Sequence, residues 1–287
     1  LVTGPMLAGV WRGERVGACT DCRRFWALFR AGELDEGQIA SVNNELAPTV
    51  GTCSVMGTAS TMAMATEAMG MMLPGGAAIP AVHAERRRAA ERSGKRAVAM
   101  AAEGLTPDKI ITPSAIRNAL RVILAAGGST NALIHLTAIA GRRGIKVSLD
   151  DFDAMGRETP VLIDLKPTGQ HYMEDLHNAG GLAPLLHELG ELIEGDCLTV
   201  TGRTMAENLA AAPAPFPQDV VRTVANPVFS GGAMAVLRGN IAPRGAVIKQ
   251  AAASPALMVH TGPAMVFDDL SDLAARIDSD DLAPVRT

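Results

Sequence analysis

The sequence predicts an α/β protein: an N-terminal α/β domain with a parallel sheet and many helices, followed by the start of a small β domain. Three observations carry this. Stretches with apolar residues at helical spacing alternate with short apolar runs of strand length. The composition is 48% apolar but 3% aromatic, with 29 Gly and 14 Met. Such a core must be built from small and flexible side chains, which suits packed helices. Finally, Pro213, Pro215 and Pro217 alternate along one segment, which forbids helix and favours an extended linker.

Each element follows from local signals. Asp35 is placed to cap a helix running through Leu46, which Pro48 stops. Ala59 to Leu73 reads as a second helix, ended by Pro74-Gly75-Gly76, and a third begins near Val82. Pro113-Ser114 opens a helix closed by Gly127-Gly128. Ser129 or Thr130 caps the next, from Asn131 to about Ala140. Strands are predicted at Arg96 to Met100, Pro160 to Leu165 and Cys197 to Thr201, while Gly13 to Ala18 is a poor strand. Past the prolines, the runs Met234 to Leu237, Ala246 to Lys249 and Leu257 to His260 are separated by Gly, Asn and Pro, as in a small β domain. The expected domains are therefore residues 1–209, a linker at 210–218, and a truncated β unit at 219–287. A chain of 287 residues accommodates about two domains.

Charge and hydropathy exclude several functions. Lys and Arg number 26 against 30 Asp and Glu, a formal charge of −4 that offers no basic face for nucleic acid. The densest basic cluster, Arg86, Arg87, Arg88, Arg92, Lys95 and Arg96, alternates with acids at helical spacing and reads as a solvated helix face. No apolar run reaches the 18 or so residues of a membrane helix, since Glu67 interrupts even the Met-rich stretch Thr61 to Leu73. Four cysteines make no disulfide framework, and a reducing cytoplasm is the expected compartment. The sequence starts at Leu1, without an initiator Met, so the expectation is an N-terminus that lies further upstream.

The most informative stretch is Gly51-Thr52-Cys53-Ser54-Val55-Met56-Gly57-Thr58-Ala59-Ser60-Thr61-Met62. A cysteine in a Gly/Thr/Ser-rich loop just before a helix has backbone N–H groups and a helix N-terminus nearby to favour its thiolate. Metal or cluster ligation and a small buried cysteine in a tight turn both fit. Cys19-Thr20-Asp21-Cys22 is a CxxC without a second ligand pair; half a zinc site, a redox pair and an incidental spacing all remain open. Gly127-Gly128-Ser129-Thr130-Asn131 sets hydroxyls and free N–H groups at a helix start, suited to a carboxylate or phosphate or to ordinary capping. His135, one turn on, reads as a satisfied core histidine. Lys166 to Asp175, which includes His171, could orient a polyhydroxy acid by hydrogen bonds. The methionines from Met56 to Met72 read as core. No GxGxxG follows a strand, and neither a P-loop lysine nor a GxSxG elbow is present.

Together these segments resemble the dihydroxy-acid dehydratase and sugar-acid dehydratase family of iron–sulfur hydro-lyases. The motifs are Gly4-Pro5-Met6-Leu7, the Cys53 loop through Ala63, Leu73-Pro74-Gly75, Gly128 to Ala132, His171 to Asp175, Gly180-Gly181, Leu237 to Pro243 and Gly245 to Lys249, in family order along nearly the whole chain. The form of the Cys53 loop and the segment Asp21 to Trp26 look most like the sugar-acid branch; the branched-chain amino-acid enzyme is the runner-up.

The resemblance implies dehydration of a 2,3-dihydroxy acid to a 2-keto acid, a 2Fe-2S cluster acting as Lewis acid, and Mg²⁺. It also implies that the β domain is the start of a β-barrel-like domain, and that the protein is a homodimer or tetramer. Cys53 matches the family's last cluster cysteine, and Ser129, Thr130, Asn131 and His171 fall where substrate contacts are expected. The remaining cluster cysteines and the Mg²⁺ ligands are expected upstream of Leu1, and the family serine base and a late Mg²⁺ glutamate beyond Thr287. No magnesium ligand is therefore expected within the chain, and the chain reads as an internal portion that is inactive alone. Cys19, Cys22 and Cys197 match no cluster position. A non-catalytic oligomerising or ligand-binding remnant, or a zinc or redox module on Cys19 and Cys22, are the alternatives of another class.

Overall fold

A computed structural model describes residues 3–277 and 279, apart from the side chain of Cys19. Two compact units result, Leu1–Ala252 and Ala253–Thr287. The first opens with an antiparallel hairpin, β1 (Gly9–Trp11) and β2 (Glu14–Val16). Helices α1 (Ala18–Arg30) and α2 (Glu36–Glu45) follow. The cap predicted at Asp35 is present as a full capping box: its carboxylate accepts from the Gln38 N–H while the Gln38 side chain accepts from the Asp35 N–H. Hairpin and helices close a small core of Val16, Phe25, Ile39, Val42 and Leu46, with Trp11 edge-on to Phe25 at 5.1 Å.

The main core is helical. It is built on α3 (Thr58–Ala68), α4 (Ala84–Glu103), α5 (Pro107–Ile110), α6 (Pro113–Ala126), α7 (Asn131–Arg142) and α8 (Leu149–Glu158). The short helices α9 (Met173–Asn178), α10 (Ala183–Leu189) and α11 (Met205–Ala210) complete it. Pro113 sits in the first turn of α6 and the Thr112 hydroxyl accepts from the Ala115 N–H, so proline and cap start the helix together. Helix α6 buries ten residues, Ala115, Ala119, Ala125 and Ala126 among them, and lies against α3, which buries Ala63, Ala65 and Ala68. The expected methionine core is present, with Met56, Met64, Met69 and Met72 all buried.

The structure corrects several sequence expectations. No parallel sheet forms among the described residues: the two sheets are antiparallel hairpins, the second joining β3 (Ala235–Leu237) to β4 (Ala246–Ile248). The run Val161 to Leu165 is buried as expected but spends its donors elsewhere. The Leu162 N–H goes to the Ala125 carbonyl at the end of α6, and Val161 and Ile163 make single antiparallel bridges to Phe229 and Val221. Cys197 to Thr201 makes one bridge, Leu198 to Thr204.

Arg96 to Met100 is helical, inside α4. Its alanines are strong helix formers, and Arg96 pairs with Glu103 two turns on, along the same helix. The predicted helix to Leu73 ends at Ala68, whereas the poor strand at Glu14–Val16 does pair.

Two side-chain expectations also change. Arg88, Arg92 and Lys95 are exposed and paired with Glu85 or Glu91, but Arg86 is buried and donates to the carbonyls of Gly76 and Ile79. His135 is exposed, because α7 turns Ala132, Leu133, Leu136 and Ala140 inward and His135 falls on the other face.

The proline segment from Pro213 to Pro217 forms neither helix nor strand and is exposed. After it the chain returns to the main core through Val220, Val221, Ala233 and Met234. In the second unit, Pro255–Leu257 is a single 3₁₀ turn, which the ring of Pro255 suits, and α12 spans Leu270–Arg276. The predicted strand at Leu257 to His260 is absent, and no closed barrel forms among the described residues.

Candidate functional site

The Cys53 loop, residues 51–57, is held on several sides. Thr52 bridges Pro5 in parallel, with the Met6 N–H donating to the Thr52 carbonyl at 2.7 Å and the Thr52 N–H to the Gly4 carbonyl at 2.8 Å. Further along, the Met173 N–H donates to the Ser54 carbonyl (2.8 Å) and the Met56 N–H to the Lys166 carbonyl (2.9 Å). The loop then enters α3 through Gly57, its N-cap, and the Cys53 Cβ lies 3.9 Å from where a side chain at Gly57 would begin. Cys53 is thus half-buried at a helix N-terminus, where the helix dipole favours negative charge.

The second loop predicted from sequence meets the same helix end. Thr58 Oγ1 and Ser129 Oγ are 2.8 Å apart, Asn131 Nδ2 donates to Thr58 Oγ1 at 3.2 Å, and the Ser129 N–H donates to Thr61 Oγ1 at 3.1 Å. Two helix starts, α3 and α7, therefore face each other across a cluster of hydroxyl and amide groups. Thr130 makes no side-chain capping bond to α7, although its carbonyl accepts from the Leu133 N–H. Ser129 Oγ accepts from the Asn131 N–H at 3.3 Å. Thr58 and Thr61 are the members of this cluster that the sequence left unassigned; only the fold shows that their hydroxyls meet Ser129.

His171 lies elsewhere. Its ring stands 3.9 Å from Asp175 Oδ2 and 3.7 Å from Asp219 Oδ2, in a shallow depression of about 220 Å³ shared with Gln218. It joins the Cys53 loop only through backbone, its own carbonyl accepting from the Lys166 N–H. The other cysteines are separate. Cys197 is buried against Asn118 Nδ2 (3.6 Å), and burial, followed by Asp196 and Glu194, pushes its thiol up to about 11, so it stays protonated and inert. Cys22 packs on the small core beside Val16 and Phe25, and the side chain of Cys19 lies outside the described atoms. No group of three or more His, Cys, Asp or Glu able to hold a metal ion occurs among the described residues.

A buried ionic knot borders the Cys53 loop. Asp21, 2% exposed, accepts from the Gly17 N–H at 2.8 Å and pairs with Arg24 (3.2 Å) and Lys166 (3.5 Å). Lys166 Nζ donates to the Tyr172 hydroxyl at 2.9 Å. That phenol lies 2.8 Å from the Arg15 carbonyl and 3.2 Å from Asp21 Oδ2, two acceptors for one proton. Burial raises the phenol above its ordinary value, the Lys166 hydrogen bond opposing, so Tyr172 is neutral throughout the physiological range. Arg15 stacks over the Tyr172 ring at 4.5 Å and pairs with Asp175 at 3.0 Å. More than 140 residues separate Asp21 from Lys166, and nothing local in either segment signals the pairing.

Glu67 is a second buried charge that the sequence hid inside a methionine-rich helix. Its carboxylate accepts the N–H groups of Gly75 (2.7 Å) and Ala77 (2.8 Å) and lines a small cavity of about 40 Å³ with Met72, Pro74, Leu186 and Asn208. Burial pushes the carboxyl up to about 7, against the two backbone donors and Arg86, which lower it. A carboxyl whose folded pKa exceeds its unfolded value of 4.5 binds a proton that the unfolded chain releases, so stability falls as pH rises between those values. The loss amounts to about 3 kcal/mol. We expect the denaturation midpoint to drop between pH 5 and pH 8 and Glu67→Met to flatten that dependence; an equal drop in both proteins would contradict the assignment.

Comparison with known proteins adds the family context. The N-terminal model of the dihydroxy-acid/6-phosphogluconate dehydratases matches residues 1–208, and their C-terminal model matches residues 219–286. An L-arabinonate dehydratase of Rhizobium leguminosarum bv. trifolii is 46% identical over 281 residues, covering 97% of this chain and 48% of its own. An L-arabonate dehydratase of Azospirillum brasilense is 45% identical over 282 residues, with 97% and 48% covered. A dihydroxy-acid dehydratase of Desulfosudis oleivorans is 44% identical over 280 residues, with 96% and 50% covered. The chain spans about half the length of the curated relatives it matches.

Proposed function

This chain belongs to the dihydroxy-acid/6-phosphogluconate dehydratase family, and from that premise we propose that it forms part of a hydro-lyase acting on a sugar acid. The reaction removes the C2 proton and the C3 hydroxyl of a 2,3-dihydroxy acid as water, and the enol left behind tautomerises to a 2-keto-3-deoxy acid. The observation that carries this reading is the meeting of the start of α3, into which the Cys53 loop runs, with Ser129 and Asn131 at the start of α7, made through Thr58 and Thr61. Hydroxyl and amide groups there can bind the substrate's hydroxyls, and two helix N-termini favour its carboxylate. In this reading Ser129, Asn131 and Thr58 orient the substrate and Thr130 contributes through the backbone of the same turn, while His171, which faces Asp175 and Asp219 in a separate depression, takes no part. The sugar-acid substrate is favoured over the branched-chain one by the form of the Cys53 loop and the Asp21 to Trp26 segment.

Cys53 is the thiol we assign to an iron–sulfur cluster. The described residues do not by themselves fit that group: they offer one thiol at the site, and no carboxylate or histidine cluster for Mg²⁺. The proposed domains, 1–209 and 219 onward around a linker at 210–218, are supported by the alternating prolines and by the limits of the two family matches. A homodimer or tetramer in the cytoplasm is the expected working form; no described helix is long and apolar enough to cross a membrane.

Expression of the chain within its complete reading frame, under anaerobic conditions with iron and Mg²⁺, tests the proposal. L-Arabinonate and a branched-chain 2,3-dihydroxy acid are offered in parallel and the 2-keto product is measured. Faster turnover of the sugar acid is expected, and loss of turnover in Cys53→Ala. Faster turnover of the branched-chain acid would favour the runner-up, and no turnover of either would leave the non-catalytic reading.

A further inference from the structure

We propose that Asp21, Lys166 and Tyr172 are positioning residues for Cys53: their knot sets the path of the loop that presents the thiol. The inference rests on the reading of Cys53 as the functional thiol and goes beyond it by naming what fixes that thiol in place. Two backbone hydrogen bonds clamp the loop just after Cys53, and each springs from the knot. Lys166 itself accepts from the Met56 N–H, and Met173, next to Tyr172, donates to the Ser54 carbonyl.

On a third side Gly17, whose N–H is held by Asp21, lies so close that a Cβ there would stand 2.8 Å from Ser54 Oγ and 3.1 Å from Val55 Cγ1. The segment 54–56 therefore has no slack against the knot. Buried ion pairs are poor devices for stability, since apolar residues of the same volume often do as well. Their directional bonds fix a register instead, and here that register sets the angle at which the chain leaves Cys53 for α3.

The test is cysteine alkylation of the native protein by iodoacetamide, with each cysteine quantified by peptide mass spectrometry. Lys166→Met, and independently Tyr172→Phe, should change the Cys53 rate by about ten-fold while Cys197, buried in the main core, stays protected. Lys166→Arg, which keeps a donor for Tyr172 and a cation for Asp21, should return the rate toward wild type, a rescue that a mere loss of packing would not give.

A Cys53 rate within about two-fold of wild type in both variants overturns the proposal, as does loss of Cys197 protection in step with Cys53 in the milder Tyr172→Phe protein. Iron content of the Cys53→Ala protein in its complete reading frame is measured in parallel. Undiminished iron there removes the ligand role of Cys53 and leaves the alkylation result standing on its own.

Discussion

Gly51→Ala is expected to cost about 3–5 kcal/mol, enough to unfold a large fraction of a marginally stable domain. Gly51 has φ +135°, a conformation closed to residues with a Cβ, and the added carbon would stand 2.6 Å from the Met6 nitrogen and 2.8 Å from the Pro5 carbonyl carbon. Both obstacles are backbone, and they belong to the segment that bridges Thr52, so neither can swing aside without tearing the loop from its neighbour. Gly32 supplies the control: its φ is +76° but nothing lies within 4 Å of its missing Cβ. Gly32→Ala should therefore cost only about 1 kcal/mol, the price of the left-handed conformation alone. Urea denaturation of the two variants side by side measures the difference, and equal midpoints would refute the close-packing account of the Cys53 loop.

Asp21→Ala should destabilise by a similar amount, about 3–5 kcal/mol, for an electrostatic reason. Removing the carboxylate strips the Gly17 N–H and Arg24 of a partner and leaves Lys166, with a side chain 17% exposed, without any counter-ion among the described residues. Asp21→Asn keeps an acceptor for Gly17 and should lose less. Because the pair is buried, about 0.5 M salt should change the cost little, whereas surface pairs such as Lys95 with Glu91 are screened. A strong salt dependence of the Asp21→Ala effect, or a loss below about 1 kcal/mol, would mean that the pair is solvated in solution.

Local signals read correctly where the chain's immediate chemistry decides the outcome. The Asp35 capping box, the proline start of α6, the turn at Gly127 and the hairpin runs at Ala235 and Ala246 needed nothing beyond a few residues of context. The errors came where distant segments compete for the same backbone groups. Val161 to Leu165 is buried like a parallel strand, yet the end of α6 takes the N–H groups of Leu162 and Ile163 while Phe229 and Val220 take those of Val161 and Asp164. At Arg96 to Met100 the helix of which it is part outweighed a short apolar run. The candidate site divides in the same way. Cys53, Ser129 and Asn131 announced themselves by residue type before helix starts, whereas nothing near Asp21, Lys166 or Glu67 signals that the fold encloses their charges. His135 shows the converse, a histidine on an apolar stretch that the fold leaves outside.

The packing of α3 on α6, two helices that bury several alanines each, carries a last consequence. Side chains of one carbon let two backbones approach closely, so little can be removed from that contact and almost nothing added. Where a leucine-filled core suffers most from truncation, this one should suffer most from enlargement. Larger side chains at the buried Ala65, Ala68, Ala115 or Ala119 should therefore destabilise the protein, and the helix that follows Cys53 is held by its packing on α6.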